Sequence, residues 1–189
     1  MSMLARFGLA TICAVVLAAI AHLAAILIMP WTSERHAAER LLMTTSAENA
    51  QLIAGPGVES WLPLPDPAVA VAACAYDLGE GPFRFTASAS GLLKSVAFHS
   101  RGSGIFFAVT DRAAIGGVLD IVVMTQAQRD IYDALQDSDE DRAVLRVTAP
   151  EGAGFAVIRV LAPLPSLTER ALQEAQDAGC TIEPLAEPA

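Results

Sequence analysis

The chain begins with a long apolar run. Residues Phe7 to Met29 form 23 consecutive positions without a formal charge, and Pro30 and Trp31 follow. A helix needs about 20 apolar residues to cross the hydrocarbon core of a bilayer, so this run is long enough, with some tilt. The pattern predicts a short cytoplasmic leader at 1–6 and a transmembrane helix at 7–30, which Pro30 ends.

The same run also has features of a cleaved signal peptide. Ala19-Ile20-Ala21 resembles a cleavage site, and cleavage there would make His22 the new N-terminus. The apolar core of a signal peptide usually spans only about 7–15 residues, which is shorter than this run. We therefore expect an uncleaved anchor, and hence a single-pass protein bound to the lipid bilayer of the inner (cytoplasmic) membrane.

One face of the predicted membrane helix carries small side chains at spacings of four and three residues, namely Ala10, Ala14, Ala18, Ala21 and Ala25. Small side chains allow a second helix to approach closely. His22 lies at the edge of this face, and an ionisable group at such a depth is a candidate functional residue. A neutral imidazole bonded to a backbone carbonyl is the simpler interpretation. We predict helix pairing, and hence self-association, through Ala14, Ala18 and His22.

Residues 31–67 follow the predicted span and contain two kinds of sequence. Ser33 to about Met43 has an apolar stripe at helical spacing, which predicts a short juxtamembrane helix. Ala54 to Pro67 contains two glycines and four prolines, which favour a linker or an extended lead-in. We expect Trp61 to anchor this segment to the domain that follows.

Residues 68–182 consist of short β-rich runs separated by turn residues. The predicted strands are Val69–Tyr76, Phe83–Thr86, Leu92–Phe98, Ile105–Thr110, Val118–Met124, Ala143–Thr148 and Phe155–Leu161. Strands that are adjacent in sequence and joined by tight turns imply a largely antiparallel sheet. The predicted fold class is α+β, mainly β: a transmembrane helix followed by an antiparallel β-sandwich. Residues 183–189 form an acidic tail that we expect to fray.

Two capping boxes predict the two helices that cover this sandwich. In the first, Thr125 and Gln128 begin a helix that runs to about Leu135 and buries Ile131. In the second, Ser166 and Glu169 begin a helix that ends at Gly179.

The charge balance excludes one class of partner. The net charge is −9, and Arg6 is the only charged residue before residue 31, so residues 31–189 carry a net charge of −10. An acidic domain repels phosphate backbones, and we therefore expect no nucleic-acid binding.

The sequence lacks the common catalytic and cofactor motifs. It contains no CxxC, HExxH, GxSxG or GxGxxG pattern and no Walker loop. His99 stands alone near a predicted hairpin turn, and we expect it at the surface. The sequence therefore predicts no catalytic residue, no cofactor and no metal site, and it favours a protein that is not an enzyme.

Four charged residues follow or interrupt apolar strands: Asp77, Arg84, Asp111 and Arg112. Charges in such places seldom lie buried without a partner. Ion pairs at strand ends and turn capping by aspartate are the simpler interpretation. The alternative is that the four residues form a polar ligand site at one end of the sandwich.

Two cysteines of the predicted domain are candidates for a disulfide. Cys13 lies inside the predicted membrane span, which leaves Cys74 and Cys180. We predict that they pair and pin the C-terminal helix to the first strand, although two buried free thiols are the alternative. The basic residues on the two sides of the span do not decide the orientation of the helix. A disulfide favours a domain outside the cytoplasm.

The residues from Cys74 to Phe85 resemble the signature C-x-[FY]-D-L-x-x-G-P-x-R-x of an uncharacterised bacterial family, the domain of unknown function 1254. The resemblance continues through Phe106–Arg112, Gly117–Asp120 and Cys180, and so covers most of the chain. Its motifs are turn and strand patterns, and Leu93-Lys94-Ser95 replaces an aromatic-Trp-Ser run of the family. The resemblance implies a jelly-roll-like sandwich, an envelope location and a separately encoded partner of a related unknown-function family. It implies no reaction.

Two functions are consistent with these observations. The first is a non-enzymatic envelope protein whose β-domain binds another protein or helps to assemble one. The second is a ligand-binding or enzymatic module that uses Asp77, Arg84 and Arg112. A concave pocket around those side chains would favour the second function.

Overall fold

The apolar N-terminal run is helical in the computed structural model of the protein, which describes residues 2–89, 91–102, 104–135 and 144–184. Helix α1 spans Met3–Thr44. Its first part, Met3–Met29, is long and apolar enough to cross a membrane, and it fits a signal sequence by the same test. The chain divides into two compact units, Met1–Ala37 and Ala38–Ala189.

The predicted end of the helix at Pro30 is wrong. The backbone stays helical through Pro30, so the predicted juxtamembrane helix is a continuation of α1. Proline removes one backbone hydrogen bond from a helix, at a local cost of about 3 kcal/mol. The helix-forming residues on both sides of Pro30 can offset this cost.

Nine strands and two further helices follow α1 in the described part of the chain. They are β1 (Gln51–Ala54), β2 (Val69–Asp77), β3 (Phe83–Ser88), β4 (Lys94–Ser100), β5 (Gly104–Thr110), β6 (Val118–Met124), α2 (Gln126–Leu135), β7 (Leu145–Thr148), β8 (Ala153–Leu161), α3 (Thr168–Gln176) and β9 (Gly179–Ile182). One sheet has the strand order β1-β2-β8-β4-β5 and the other β7-β6-β3-β9. Neighbouring strands are antiparallel except for β6 and β7, which are parallel. The fold is thus strand-rich α+β.

All seven predicted strands are present with small shifts at their ends, except that the predicted start of the sixth at Ala143 lies outside the described residues. The prediction missed two short strands. β1 pairs with β2, so the domain begins before the predicted boundary at residue 68. β9 begins at Gly179, the glycine that was predicted to end the last helix, and pairs with β3. Both strands have four residues, which is too short for a clear alternating pattern.

The two sheets share one hydrophobic core, in which aromatic side chains from both sheets meet. Phe85 of β3 meets Phe98 of β4 edge to face, with ring centroids 5.9 Å apart. Tyr76 of β2 stacks on Phe83 of β3 at 4.7 Å. Each aromatic pair is worth about 0.5–1.5 kcal/mol beyond the area that it buries.

A second, smaller cluster covers the other face of the five-stranded sheet. Ala38 and Leu41, from the last turns of α1, pack there with Phe155 of β8, and Trp61 packs against the same cluster. The Arg40 guanidinium lies 5.2 Å from the Trp61 ring centroid. Trp61 therefore anchors its segment as predicted, but that segment packs on the sheet and is not a free linker.

One of the two predicted capping boxes is present. The Thr125 N–H donates to Gln128 Oε1 at 2.8 Å, and the Gln128 N–H donates to Thr125 Oγ1 at 3.2 Å. The predicted box at Ser166 is absent, because a short 3-10 turn precedes α3 and no side chain caps this helix. Ile131 of α2, predicted to be buried, is exposed.

Candidate functional site

Strand register separates the four charged residues that could have formed one polar site. Asp77 ends β2 and pairs with Ala153 at the start of β8. Thr110, which precedes Asp111, pairs with Ser95 of β4. Ser95 in turn pairs with Arg159, near the far end of β8. Six residues of strand separate these two points of β8, which is roughly 20 Å. Asp77 and Asp111 therefore lie at opposite ends of the sheet.

Arg84 is engaged in a structural ion-pair network on the four-stranded sheet. Its Nε and Nη2 atoms donate to the two carboxylate oxygens of Asp120 at 2.9 and 2.6 Å. Its Nη1 atom donates to Glu183 Oε1 at 2.8 Å. Hydrogen bonds to Asp120 and then Glu183 raise the pKa of Arg84 further above its usual value. This network joins β3 and β6 to the residue that follows β9.

The network also changes the prediction for the C-terminal tail. The Glu183 N–H donates to the Pro82 carbonyl at 2.8 Å, and its carboxylate binds Arg84. Glu183 is therefore held in place and does not begin a frayed tail. Residues 185–189 lie outside the described residues.

The remaining charged candidates have local roles. Asp77 Oδ1 accepts the Gly79 N–H at 2.9 Å, which caps the turn after β2. Asp111 Oδ1 accepts the Lys94 N–H at 3.4 Å, and Arg112 is exposed beside it. The prediction of one site formed by these residues is wrong, and turn capping and strand-end pairing describe them better.

A buried ion pair was not predicted from the sequence. The Lys94 side chain is 3 % exposed, and its Nζ atom lies 2.8 Å from Glu174 Oε2 of α3 and 2.7 Å from the Ser88 carbonyl oxygen. Lys94 shares the inward face of β4 with Val96 and Phe98, which lie two and four positions later. This even spacing could have indicated a lysine that points into the core and needs a buried partner.

A shallow depression beside Lys94 does not form a ligand site. It encloses about 220 Å³ that includes open solvent, it is too narrow for a water molecule, and it is lined by Ala87, Ser88, Ala89, Lys94, Ser95, Val96, Asp111, Leu119 and Ile158. Within the residues that the structure describes, no three His, Cys, Asp or Glu side chains come together in a way that could hold a metal ion.

His99 is half-buried and does not lie free at the surface as predicted. Its ring stacks on Phe155 with centroids 4.6 Å apart. Burial lowers the pKa of His99 below its usual value of 6.5, and the charge of Arg159 lowers it further.

We expect His99 to make the domain less stable in mild acid. The imidazole binds a proton more readily in the unfolded chain than in the fold, so stability should fall as the pH drops through about 6.5. Substitution His99→Phe should reduce the loss of melting temperature between pH 7 and pH 5. Thermal unfolding of both proteins checks this, and an equal loss in both would contradict the assignment.

Cys74 and Cys180 form the predicted disulfide, with Cα atoms 6.5 Å apart. Cys74 lies in β2 of the five-stranded sheet and Cys180 in β9 of the four-stranded sheet. The bond therefore joins the two sheets, and the prediction that it pins the C-terminal helix is wrong. Cys13 is a free thiol in α1.

Ala14, Ala18 and His22 lie in the apolar part of α1, and their side chains are exposed. Their pairing with another helix stays a prediction.

The outer edge of β5 is unpaired by any strand of the described chain, because β5 ends the five-stranded sheet. The strand has no charged residue. Ile105 is 58 % exposed, and Phe107 and Val109 are half-buried against the core. Register shifts after Phe98 make Phe106 a bulged residue, so Phe107–Thr110 is the regular part of this edge.

Comparisons with known proteins show the fold alone. No family model and no curated protein matches the chain, so its resemblance to the domain of unknown function 1254 stays a prediction. An uncharacterized protein from Burkholderia cenocepacia is similar over 82% of this chain and 39% of its own, with 11% identity and a TM-score of 0.50. The VPA0106 protein from Vibrio parahaemolyticus matches 66% of this chain and 32% of its own, with 10% identity and a TM-score of 0.48.

The chain thus spans about two fifths or less of the length of these two solved proteins. At such low sequence identity, the match to the Burkholderia protein concerns architecture and carries no information about activity. The chain shares its fold with part of a larger uncharacterized bacterial protein.

Proposed function

We propose that this protein is a single-pass inner-membrane protein whose extracytoplasmic domain binds another envelope protein, or helps to assemble one, without catalysing a reaction. In this proposal the domain is a jelly-roll-like β-sandwich covered by α2 and α3. The free edge of β5 is the observation that carries the proposal.

An unpaired edge strand offers a row of backbone N–H and C=O groups that a strand from another chain can join. Natural proteins usually protect such an edge with charged residues, proline or a bulge. β5 has a bulge at Phe106 but neither charge nor proline in its seven residues. The edge of β5 therefore lacks the charged residues and proline that usually oppose strand addition.

The location rests on α1 and on the disulfide. Residues Met3–Met29 of α1 are long and apolar enough to cross a membrane, and in this proposal they remain as an anchor. Disulfides persist in oxidising compartments outside the cytoplasm, so the bond between Cys74 and Cys180 supports an extracytoplasmic domain. The resemblance implies a partner from a related unknown-function family, and that protein is the first partner to test.

The alternative function, a ligand-binding or enzymatic module, has weaker support. Asp77 and Arg112 lie at opposite ends of the five-stranded sheet. Arg84 is held by two carboxylates of its own sheet and is not presented to a substrate.

A charge placed on the β5 edge should strongly reduce partner capture. We expect Ala108→Lys to reduce the amount of captured partner by roughly tenfold, because an edge lysine opposes strand addition. Ala108 is exposed, so its replacement should leave the fold intact. Affinity capture of the detergent-solubilised full-length protein with quantitative mass spectrometry gives the measurement.

Thr181→Lys is the matched control, because Thr181 is exposed on β9, an edge strand of the other sheet. It should retain the partner. Equal capture by wild type and both variants would show that β5 is not the binding edge.

A further inference from the structure

The last turns of α1 pack on the face of the five-stranded sheet that is turned away from the core. The buried residues of this outer cluster are Ala38 and Leu41 of α1, Ile53 of β1, Ala73 of β2, and Phe155 and Val157 of β8. Phe155 is the largest of these side chains and is 6 % exposed. Trp61 is partly buried against the same cluster. Phe155 therefore supplies much of the apolar surface on which the last turns of α1 and Trp61 pack.

His99 covers one face of the Phe155 ring. The two residues are paired across β4 and β8, and their rings are stacked with centroids 4.6 Å apart and planes 14° apart. The Nε2 atom of His99 is shielded from solvent and has no hydrogen bond to any residue that the structure describes. Arg159 lies four residues after Phe155 on β8 and therefore on the same face of the sheet.

We propose that the stack of His99 on Phe155 is an acid-sensitive contact that holds the last turns of α1 on the sheet, and that protonation of His99 releases these turns while the core between the two sheets stays folded. The release would act on the attachment of α1 and does not depend on any partner of β5.

Protonation changes what the buried Nε2 atom needs. A neutral imidazole can leave this nitrogen without a proton, whereas an imidazolium carries a proton on both nitrogens. Nε2 would then be a buried, charged donor without an acceptor, which costs more than the attraction of a cation for an aromatic ring recovers. A protonated His99 would therefore turn toward water and uncover the face of Phe155, which weakens the outer cluster.

The charges around His99 set the direction of the response. Burial lowers the pKa of His99 below 6.5, and the positive charge of Arg159 lowers it further. β5, the other neighbour of β4, has no titratable side chain. The other charged side chains beside the outer cluster are exposed, namely Glu39, Arg40, Glu48, Glu59, Asp77 and Arg101. The released form binds the proton more readily than the attached form, so the contact should hold above about pH 6.5 and weaken progressively below it.

The emission of Trp61 measures the release, because a Trp31→Phe background leaves Trp61 as the only tryptophan of the chain. In the detergent-solubilised full-length protein, this emission should shift to longer wavelength as the pH falls from 7 to 5, with the ratio of released to attached form rising by up to about tenfold per pH unit. His99→Phe keeps an aromatic ring beside Phe155 that cannot be protonated, and it should remove the shift. Hydrogen exchange, corrected for the intrinsic effect of pH, should show the opening at residues 38–45.

His36→Gln is the matched control, because His36 is the other histidine after the apolar run and lies two residues before Ala38. It should retain the full shift. Arg159→Gln is a second test variant at an exposed position, and it should reduce the shift because it raises the pKa of His99 toward its usual value. Circular dichroism of the strands should stay constant over the same pH range.

Four results would overturn the proposal. They are an unchanged emission of Trp61 in acid, an equal shift in the parent protein and His99→Phe, a shift that His36→Gln removes, and a loss of the strand signal together with the shift. The last of these would show that acid unfolds the whole domain and does not release α1 alone.

Discussion

Removal of the Cys74–Cys180 disulfide should lower the free energy of unfolding by about 4–5 kcal/mol. The two cysteines are 106 residues apart, so the bond closes a loop that includes most of the domain. Closing such a loop restricts the unfolded chain far more than the folded one. The effect should be large because the bond also joins the two sheets.

The double variant Cys74→Ala/Cys180→Ala, unfolded with denaturant in detergent, provides this measurement. Cys13→Ser is the control, because Cys13 is a free thiol of α1 and its replacement should leave the unfolding curve of the domain unchanged. The same free energy of unfolding in wild type and the double variant would show that the bond contributes nothing to stability.

Glu174→Ala should destabilise the domain by about 3–5 kcal/mol, because it leaves the buried ammonium group of Lys94 without its carboxylate. The side chains of Lys94 and Glu174 are only 3 % and 14 % exposed, so the charge of Lys94 would remain largely shielded from solvent. Denaturant unfolding of Glu174→Ala against wild type checks this expectation.

The double variant Lys94→Met/Glu174→Leu separates the cost of an unpaired charge from the value of the pair. Replacing both partners with apolar residues of similar size is often neutral or stabilising. We therefore expect the double variant to recover most of the stability that Glu174→Ala loses. A loss as large as in the single variant would mean that the pair itself stabilises the domain.

The sequence predicted the strands better than their partners. Val118–Met124 is predicted to the residue, because its apolar run is bounded by turn and capping signals. β1 and β9 were missed because each is a four-residue strand whose existence depends on a distant strand, β2 or β3. The pattern of apolar and polar residues within one segment cannot show that the segment pairs with a distant strand.

The disulfide was predictable in identity but not in position. Only two cysteines lie outside the apolar run, so the pair followed from elimination. The attachment of Cys180 to a second sheet depends on β9, whereas the pattern predicts a helix that ends at Gly179 and no strand after it. The same error hid the role of Glu183, which follows β9 and binds Arg84.

The prediction of a polar site was wrong because the positions of Asp77 and Asp111 in the sheet depend on strand register. Each residue ends a strand, but register places the two strand ends at opposite sides of the sheet. The sequence pattern shows at which residue a strand ends, but it does not show at which side of the sheet that end lies. The buried pair of Lys94 and Glu174 was missed because its members come from separate elements, β4 and α3.

Counting free thiols in the full-length protein taken directly from cells tests the anchored, extracytoplasmic assignment most directly. The protein is denatured without reductant, alkylated and weighed intact. Of its three cysteines, Cys13 alone should be alkylated, on a chain that keeps its N-terminal residues. A mass that begins at His22 with no alkylated thiol would show a cleaved signal peptide. Three alkylated thiols would place Cys74 and Cys180 in a reducing compartment and contradict the account.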